Sequence, residues 1–392
     1  STVVPVAVPQ GVKTYGGRFS LSAAPSVLNG LRGAIEAMRD YPHPCWEQKL
    51  SRAVTAVVYA AEKNAVWTDD LWPDAEDFVK KTLAEAPSYQ AENGGMAYFE
   101  PQKIFVSPYL SAYTAYAFDY LLRQGYEIPQ QVQEKLAQYL LMFFKQTGKN
   151  ANLKTALTTR LLSAGFLKGK NLITAADIAV FDRDIPLMTA FDKALYLQLN
   201  PENKALLNDL YNSSYQTSGS LIFKEKADQP YDLLPSSAKT TCAALTAFVQ
   251  TKDGKAEAVM RGVYSLRLKD GTWANTQANA FCLMAVTEYA EKAEARTPDL
   301  MLKGQFDNRV LFETAFTSKT DAPVSAAAVL TPETAGKKVD AGIEAQGQGK
   351  YYYSTILSYP SDLKKAVNAG LEVTRGLFVE RGDKFVPVTK DR

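Results

Sequence analysis

From about Pro25 to Ala295 the apolar positions recur at the three-to-four-residue spacing of helices. Segments such as "SAYTAYAFDYLL", "ALTTRLLSAGFL", "MTAFDKALYLQL", "TTCAALTAFV" and "NTQANAFCLMAVTEYA" are apolar almost all round and open on small or capping residues. That is the pattern of helices packed on both sides. Between them run more polar helical stretches, "PQQVQEKLAQYLLMFF" (Pro129 to Phe144), "PENKALLNDLYNSS" and "DGKAEAVMRGVYSL". Inner and outer helices therefore alternate, in units of roughly 40 residues. Such hairpins stack into an open solenoid or close into a ring, and periodicity does not choose between the two. Loops carrying Gly and aromatics, "NGGMAYFEP" and "KDGTWANTQ", recur at the turn into inner helices and dress one rim.

After about Pro298 the period changes. "VLFETAF", "VSAAAVL", "YYYSTILSY", "LEVTRGLFVE" and "KFVPV" carry β-branched and aromatic residues between Gly, Pro and Asp turns. The opening "TVVPVAVPQGVKTYGGRFSLS" is strand-like as well. A β region split across both ends, with a helical domain inserted, is the simplest account.

The 392 residues, 46% hydrophobic and 22% charged, have the composition of ordinary globular domains. A formal net charge of +2 without a long basic run gives no electrostatic case for nucleic acid. No apolar run reaches the length of a membrane span, so no direct membrane insertion is expected in this segment. The chain opens without Met and stops inside a strand-like pattern, so it is expected to be a segment of a longer protein. Its three cysteines form no zinc spacing, and neither metal nor cofactor is expected. Cys242 and Cys282 sit in apolar helical patterns, and each is expected to be a buried free thiol rather than half of a disulfide.

Cys45 differs from those two. In "YPHPCWEQKLSRAV" it stands three residues ahead of Gln48 at the mouth of a helix. A cysteine protease needs a histidine base, and the only histidine, His43, is held in a stiff Pro42-His43-Pro44 segment beside it. The other chemistry open to Cys-x-x-Gln is acyl transfer from the glutamine side chain to sulfur, since positions i and i+3 share one face of a helical turn. The resulting thioester must be kept dry, and Trp46, Tyr98 and Phe99 are the expected shielding or positioning groups. On spacing alone, a cysteine packing at a helix start remains the simpler reading.

The wider pattern adds a resemblance. "YPHPCWEQKLSRAV" resembles the signature of bacterial alpha-2-macroglobulin-like proteins, and "NGGMAYFEP", "SPYLSAYTAYAF", "LTAFDKALYLQL" and "DGTWANTQANAFCLMAVTEY" resemble later landmarks of the same thioester domain, in order. The resemblance implies an α + β multidomain chain: an α/α toroid of paired helices (21–297) inserted in a CUB-like β-sandwich (1–20 and 298–363), with the start of a macroglobulin-type β domain at 364–392. It implies a broad-spectrum protease inhibitor of the bacterial periplasm or cell envelope, a single-use trap and not an enzyme. Cys45 would supply the sulfur and Gln48 the acyl carbonyl, with Glu47 the motif's acid. Lysine amines of target proteases would be the covalent partners, since no histidine follows His43 to relay the acyl group to hydroxyls; other domains of the parent chain would be further partners. Where relatives carry a small residue or Leu this chain has Trp46, and some relatives have lost the thioester. A family member with a silent thioester, acting as a binding or structural module, is therefore one alternative.

A second alternative is a toroid enzyme using ring carboxylates, for which "VFDRDIP" offers Asp182 and Asp184. A turn and helix cap explain this segment better. "RGD" (Arg381 to Asp383) reads as a hairpin turn, and Asn212-Ser213-Ser214 as a loop. Tyr109, Tyr113, Tyr116 and Tyr120 fall on one side of an inner helix and read as ordinary packing.

Overall fold

The computed structural model describes residues 2–9, 16–67, 69–100, 106–145, 153–217, 219–225, 233–360, 376–382 and 384–387. Two strands, β1 (Thr2–Ala7) and β2 (Arg18–Ala24), precede a long helical section. It comprises α1 (Arg32–Arg39), α2 (Trp46–Val66), α3 (Ala75–Glu85), α4 (Pro108–Arg123), α5 (Gln130–Lys145), α6 (Leu153–Gly169), α7 (Ala175–Ala179), α8 (Ala190–Leu199) and α9 (Lys204–Asn212). A short hairpin, β3 (Tyr215–Thr217) with β4 (Ser220–Ile222), precedes α10 (Ser237–Gln250), α11 (Ala256–Ser265) and α12 (Thr276–Ala293). The chain ends in β5 (Asp299–Phe306), β6 (Arg309–Phe316), β7 (Val324–Val329), β8 (Lys338–Gln348), β9 (Tyr352–Ser358), β10 (Phe378–Arg381) and β11 (Lys384–Pro387).

The even-numbered helices form a closed ring: α2, α4, α6, α8, α10 and α12 each pack against the next, and α12 packs back against α2. Their sequences require this. Ten of the thirteen residues from Tyr109 to Leu121 of α4 and all but the two end residues of α10 are buried, so both helices are packed on nearly every side; the α4 exceptions, Tyr116, Asp119 and Tyr120, lie on one face. The outer helices α5, α9 and α11 bury one stripe each, Val132, Leu136 and Leu140 in α5 for example. Short connections make each inner helix antiparallel to the outer one after it, so all inner helices start at the same end of the ring.

Apart from the two-stranded β3–β4 and β10–β11 pairs, the strands build two antiparallel sheets, in the orders β1-β8-β5-β6 and β7-β2-β9. Each contains one strand from before the helices, paired with strands from after them. Strand β2 continues past residue 20 to Ala24. Alternation along β5 turns Leu300, Leu302 and Phe306 inward against Phe19 and Leu21 of β2, and Phe19 stacks on Phe306 at 4.3 Å. Arg381 and Lys384 face each other across the β10–β11 turn, where Gly382 has φ +61. Asp383 and residues 361–375 lie outside the described residues.

Two expectations are corrected. Cys242 of α10 and Cys282 of α12 are joined by a disulfide, because adjacent inner helices bring their Cα atoms to 4.8 Å, within bridging range. The "VFDRDIP" segment is not a cap but 3₁₀ helix over Val180–Leu187, and α8 is capped instead by Thr189 and Asp192.

Candidate functional site

Cys45 is the N-cap of α2, with the extended backbone (φ −68, ψ 159) that an N-cap adopts after Pro44. Its amide N–H donates to the side-chain oxygen of Gln48 at 3.4 Å, while the Gln48 amide is directed at the sulfur. This is a capping box with a thiol in place of the usual hydroxyl. It sets the Cys45 sulfur against the Gln48 backbone amide and the Gln48 carboxamide oxygen against the Cys45 amide, both on the first turn of one helix. The thiol is 8% exposed and Gln48 half-buried. Burial, seconded by the nearby Glu47 carboxylate, pushes the Cys45 thiol above its ordinary range although two backbone amides oppose this. A thiol held protonated is a poor free nucleophile. His43 is exposed and packs edge-on against Tyr41.

The next free amide of the helix, that of Trp46, donates to the carbonyl of Tyr98 at 2.7 Å. The Gly-rich loop delivers that carbonyl. Met96 N–H donates to Ser111 Oγ, Ala97 N–H to the Tyr89 carbonyl, and Gln90 holds the carbonyls of Gly94 and Val132. Gly94 sits at φ +90, and a Cβ there would lie 2.2 Å from the Lys135 carbonyl oxygen, so no other residue fits.

The expected shielding is placed differently. Trp46 is fully buried and points into the ring: its ring stacks on Tyr89 at 5.2 Å and its indole N–H donates to Thr114 Oγ1 at 2.9 Å. It anchors the helix start from the core side. Phe99 is 70% exposed. Tyr98 contributes its main-chain carbonyl.

Beneath the turn lies a polar belt that local sequence reasoning missed. Glu47 is buried and accepts from Ser51 Oγ at 2.8 Å and from Thr276 Oγ1, which lies 2.9 and 2.8 Å from its two oxygens. Ser51 in turn meets the Tyr113 hydroxyl at 2.6 Å. Lys239 of α10 donates to the Tyr109 hydroxyl at 2.9 Å, and Tyr109 donates to Gln277 Oε1 at 2.7 Å. Tyr109 and Tyr113 are thus network members and not plain packing. Burial raises the Glu47 carboxyl against the pull of its hydroxyl donors and Lys239. Burial pushes Lys239 down to about 7, opposed by Glu225, Glu47 and Asp192. The positive N-terminal ends of the inner helices converge here and favour the carboxylates. The only sequence signal for this belt is that its members lie in or near the first turns of inner helices. Arg52 completes the motif's geometry by donating to the carbonyls of Met38 and Arg39, which ties α2 to the end of α1.

Asp182 and Asp184 are not part of this site. Asp182 is exposed and accepts from Tyr196, and Asp184 lies 3.7 Å from Arg160, on the outer segment before α8.

No family model and no curated protein matches the chain. Solved structures do. Native alpha-2-macroglobulin of Escherichia coli superposes with a TM-score of 0.61 over 94% of this chain, at 13% identity. Salmonella alpha-2-macroglobulin reacted with methylamine gives 0.60 over 94%, at 14% identity. The fold is alpha-2-macroglobulin-like. The trypsin-activated Escherichia coli protein gives 0.54 over 92%, at 12% identity. The chain spans 23%, 24% and 25% of the length of these structures, about a quarter of each.

Proposed function

We propose that Cys45 and Gln48 form an internal thioester and that this chain is the CUB-like and thioester portion of a bacterial alpha-2-macroglobulin-like protease trap. The observation that carries the reading is the reciprocal cap, in which the Cys45 amide and the Gln48 side-chain oxygen already share a hydrogen bond. The helical ring, expected over 21–297, is then the α/α toroid, the two sheets, in which β2 runs on to Ala24, the CUB-like sandwich expected over 1–20 and 298–363, and 364–392 the start of a macroglobulin-type domain.

In bond formation, Cys45 Sγ attacks Gln48 Cδ, the C–N bond breaks, and the thiol proton departs with the amide nitrogen as ammonia. Capture is a second acyl substitution at the same carbon. A lysine amine of the trapped protease attacks Cδ, the C–S bond breaks, an amide forms, and the sulfur takes up the amine's proton. Each molecule acts once. The absence of any histidine beyond His43 supports direct attack by amines over relay to hydroxyls. A solved structural neighbour was reacted with methylamine and another activated by trypsin, which supports the same chemistry and the same class of partner here. The Cys242–Cys282 bridge supports an oxidising compartment such as the periplasm.

Mass spectrometry of the freshly purified parent protein tests the reading. The expected mass is short by one ammonia, and methylamine adds at Gln48 while freeing Cys45. A full-length protein with neither property carries a silent module instead.

A further inference from the structure

At the end of the ring opposite Cys45, the C-terminal halves of α4, α6, α8, α10 and α12 line an open-mouthed cavity of about 300 Å³. That is the lower end of the range for small-molecule sites. Its walls carry Tyr116, Tyr120, Leu161 and Met284, and its polar groups include Glu288 and Glu291. Two charges in the wall cancel: Arg123 pairs with Asp119 at 3.1 Å. Lys292 is then the one cation of the lining set against Glu288 and Glu291, and the carbonyl ends of the surrounding helices add partial negative charge. Among the described residues, the Gln250 amide is the hydrogen-bond donor to Glu288, at 3.1 Å. Burial, and then the charge of Glu291, push its carboxyl up against that bond, Arg123 and Lys292. Thr287, in the cavity wall, keeps a buried hydroxyl with no hydrogen-bond partner.

Excess negative charge beside tyrosine rings and aliphatic side chains fits a cation with an apolar body. A metal ion does not fit, because among the described residues no three carboxylate, His or Cys groups converge to hold one. We propose that this cavity binds an aliphatic ammonium group, from a linear diamine or polyamine or from a lysine side chain. Glu288 accepts the ammonium and the tyrosine and leucine walls hold the carbon chain. The site stands apart from Cys45 and does not rest on thioester chemistry.

The test uses this chain with Cys45→Ala, so that no amine can react covalently, titrated calorimetrically at low ionic strength. Cadaverine is expected to bind one to one and its neutral counterpart pentan-1-ol not to bind. Glu288→Gln should weaken cadaverine by about ten-fold, the loss of one charge-assisted hydrogen bond. Met284→Lys, which sets an ammonium in the cavity, should abolish binding. Nα-acetyl-lysine amide binding comparably to cadaverine assigns the site to a lysine side chain, and binding of cadaverine alone assigns it to free amines. Equal heats for cadaverine and pentanol, or cadaverine affinity unchanged in both variants, would overturn the proposal.

Discussion

Thr276 Oγ1 lies within 2.9 Å of both carboxylate oxygens of Glu47, joining the first turn of α12 to the first turn of α2 across the closure of the ring. The contact holds the motif's acid under the Cys45–Gln48 turn, where its charge acts on the sulfur. Replacing Glu47 by Ala strands Ser51 and Thr276 in the core and should cost about 2–3 kcal/mol in denaturant unfolding. Glu47→Gln should cost less. It should also lower the thiol pKa, so that iodoacetamide alkylates the free-thiol form of Cys45 faster at pH 8 than in the wild type.

Shortening the acyl donor separates fold from chemistry. Gln48→Asn should lose no ammonia, take up no methylamine and leave Cys45 titratable by a thiol reagent. Only the cap's contribution, about 1 kcal/mol, should disappear from the unfolding free energy.

The loop that supplies the Tyr98 carbonyl depends on Gly94. Gly94→Ala combines a positive φ with a Cβ 2.2 Å from the Lys135 carbonyl oxygen. Chemical denaturation should show a loss of about 2 kcal/mol or more, and amide exchange at Trp46 should accelerate as its acceptor shifts.

The Cys242–Cys282 bridge closes a loop of sequence separation 40. Loop entropy alone predicts that the Cys242→Ser, Cys282→Ser pair destabilises the chain by about 4 kcal/mol. A thermal scan with and without reductant would register the same fall.

Lys239 is buried with its pKa pushed down to about 7, facing Glu47, Asp192 and Glu225. In the unfolded chain the amine keeps its ordinary higher value, so between pH 7 and about 10 the unfolded state binds the extra proton. The cost of burying the amine is therefore fully present below pH 7 and relieved as pH rises. Unfolding free energy should climb across that window more steeply in the wild type than in Lys239→Met.

Much of the helical section was legible because burial is written into local periodicity. The stretch read from Pro129 to Phe144 is α5, Gln130–Lys145, and the all-apolar segments are the inner helices α4, α6, α8, α10 and α12. The Cys45–Gln48 turn was legible for the same reason, since three residues span a single turn. The orientation of Trp46 was not: a large ring beside a reactive pair suggests a cover, but the cavity between Tyr89, Thr114 and Phe118 takes it inward.

The sequence by itself determined the alternation of buried and half-buried helices, the strand-rich ends, and the Cys-x-x-Gln spacing of Cys45 and Gln48 at a helix start. All of these are short-range properties of the chain. Tertiary structure decided that the helices close into a ring, that Cys242 meets Cys282, and that Thr276 and Lys239 come to lie by Glu47. Those contacts join residues far apart in sequence, and they follow from which helix neighbours which, a matter of global packing that no window of local pattern contains.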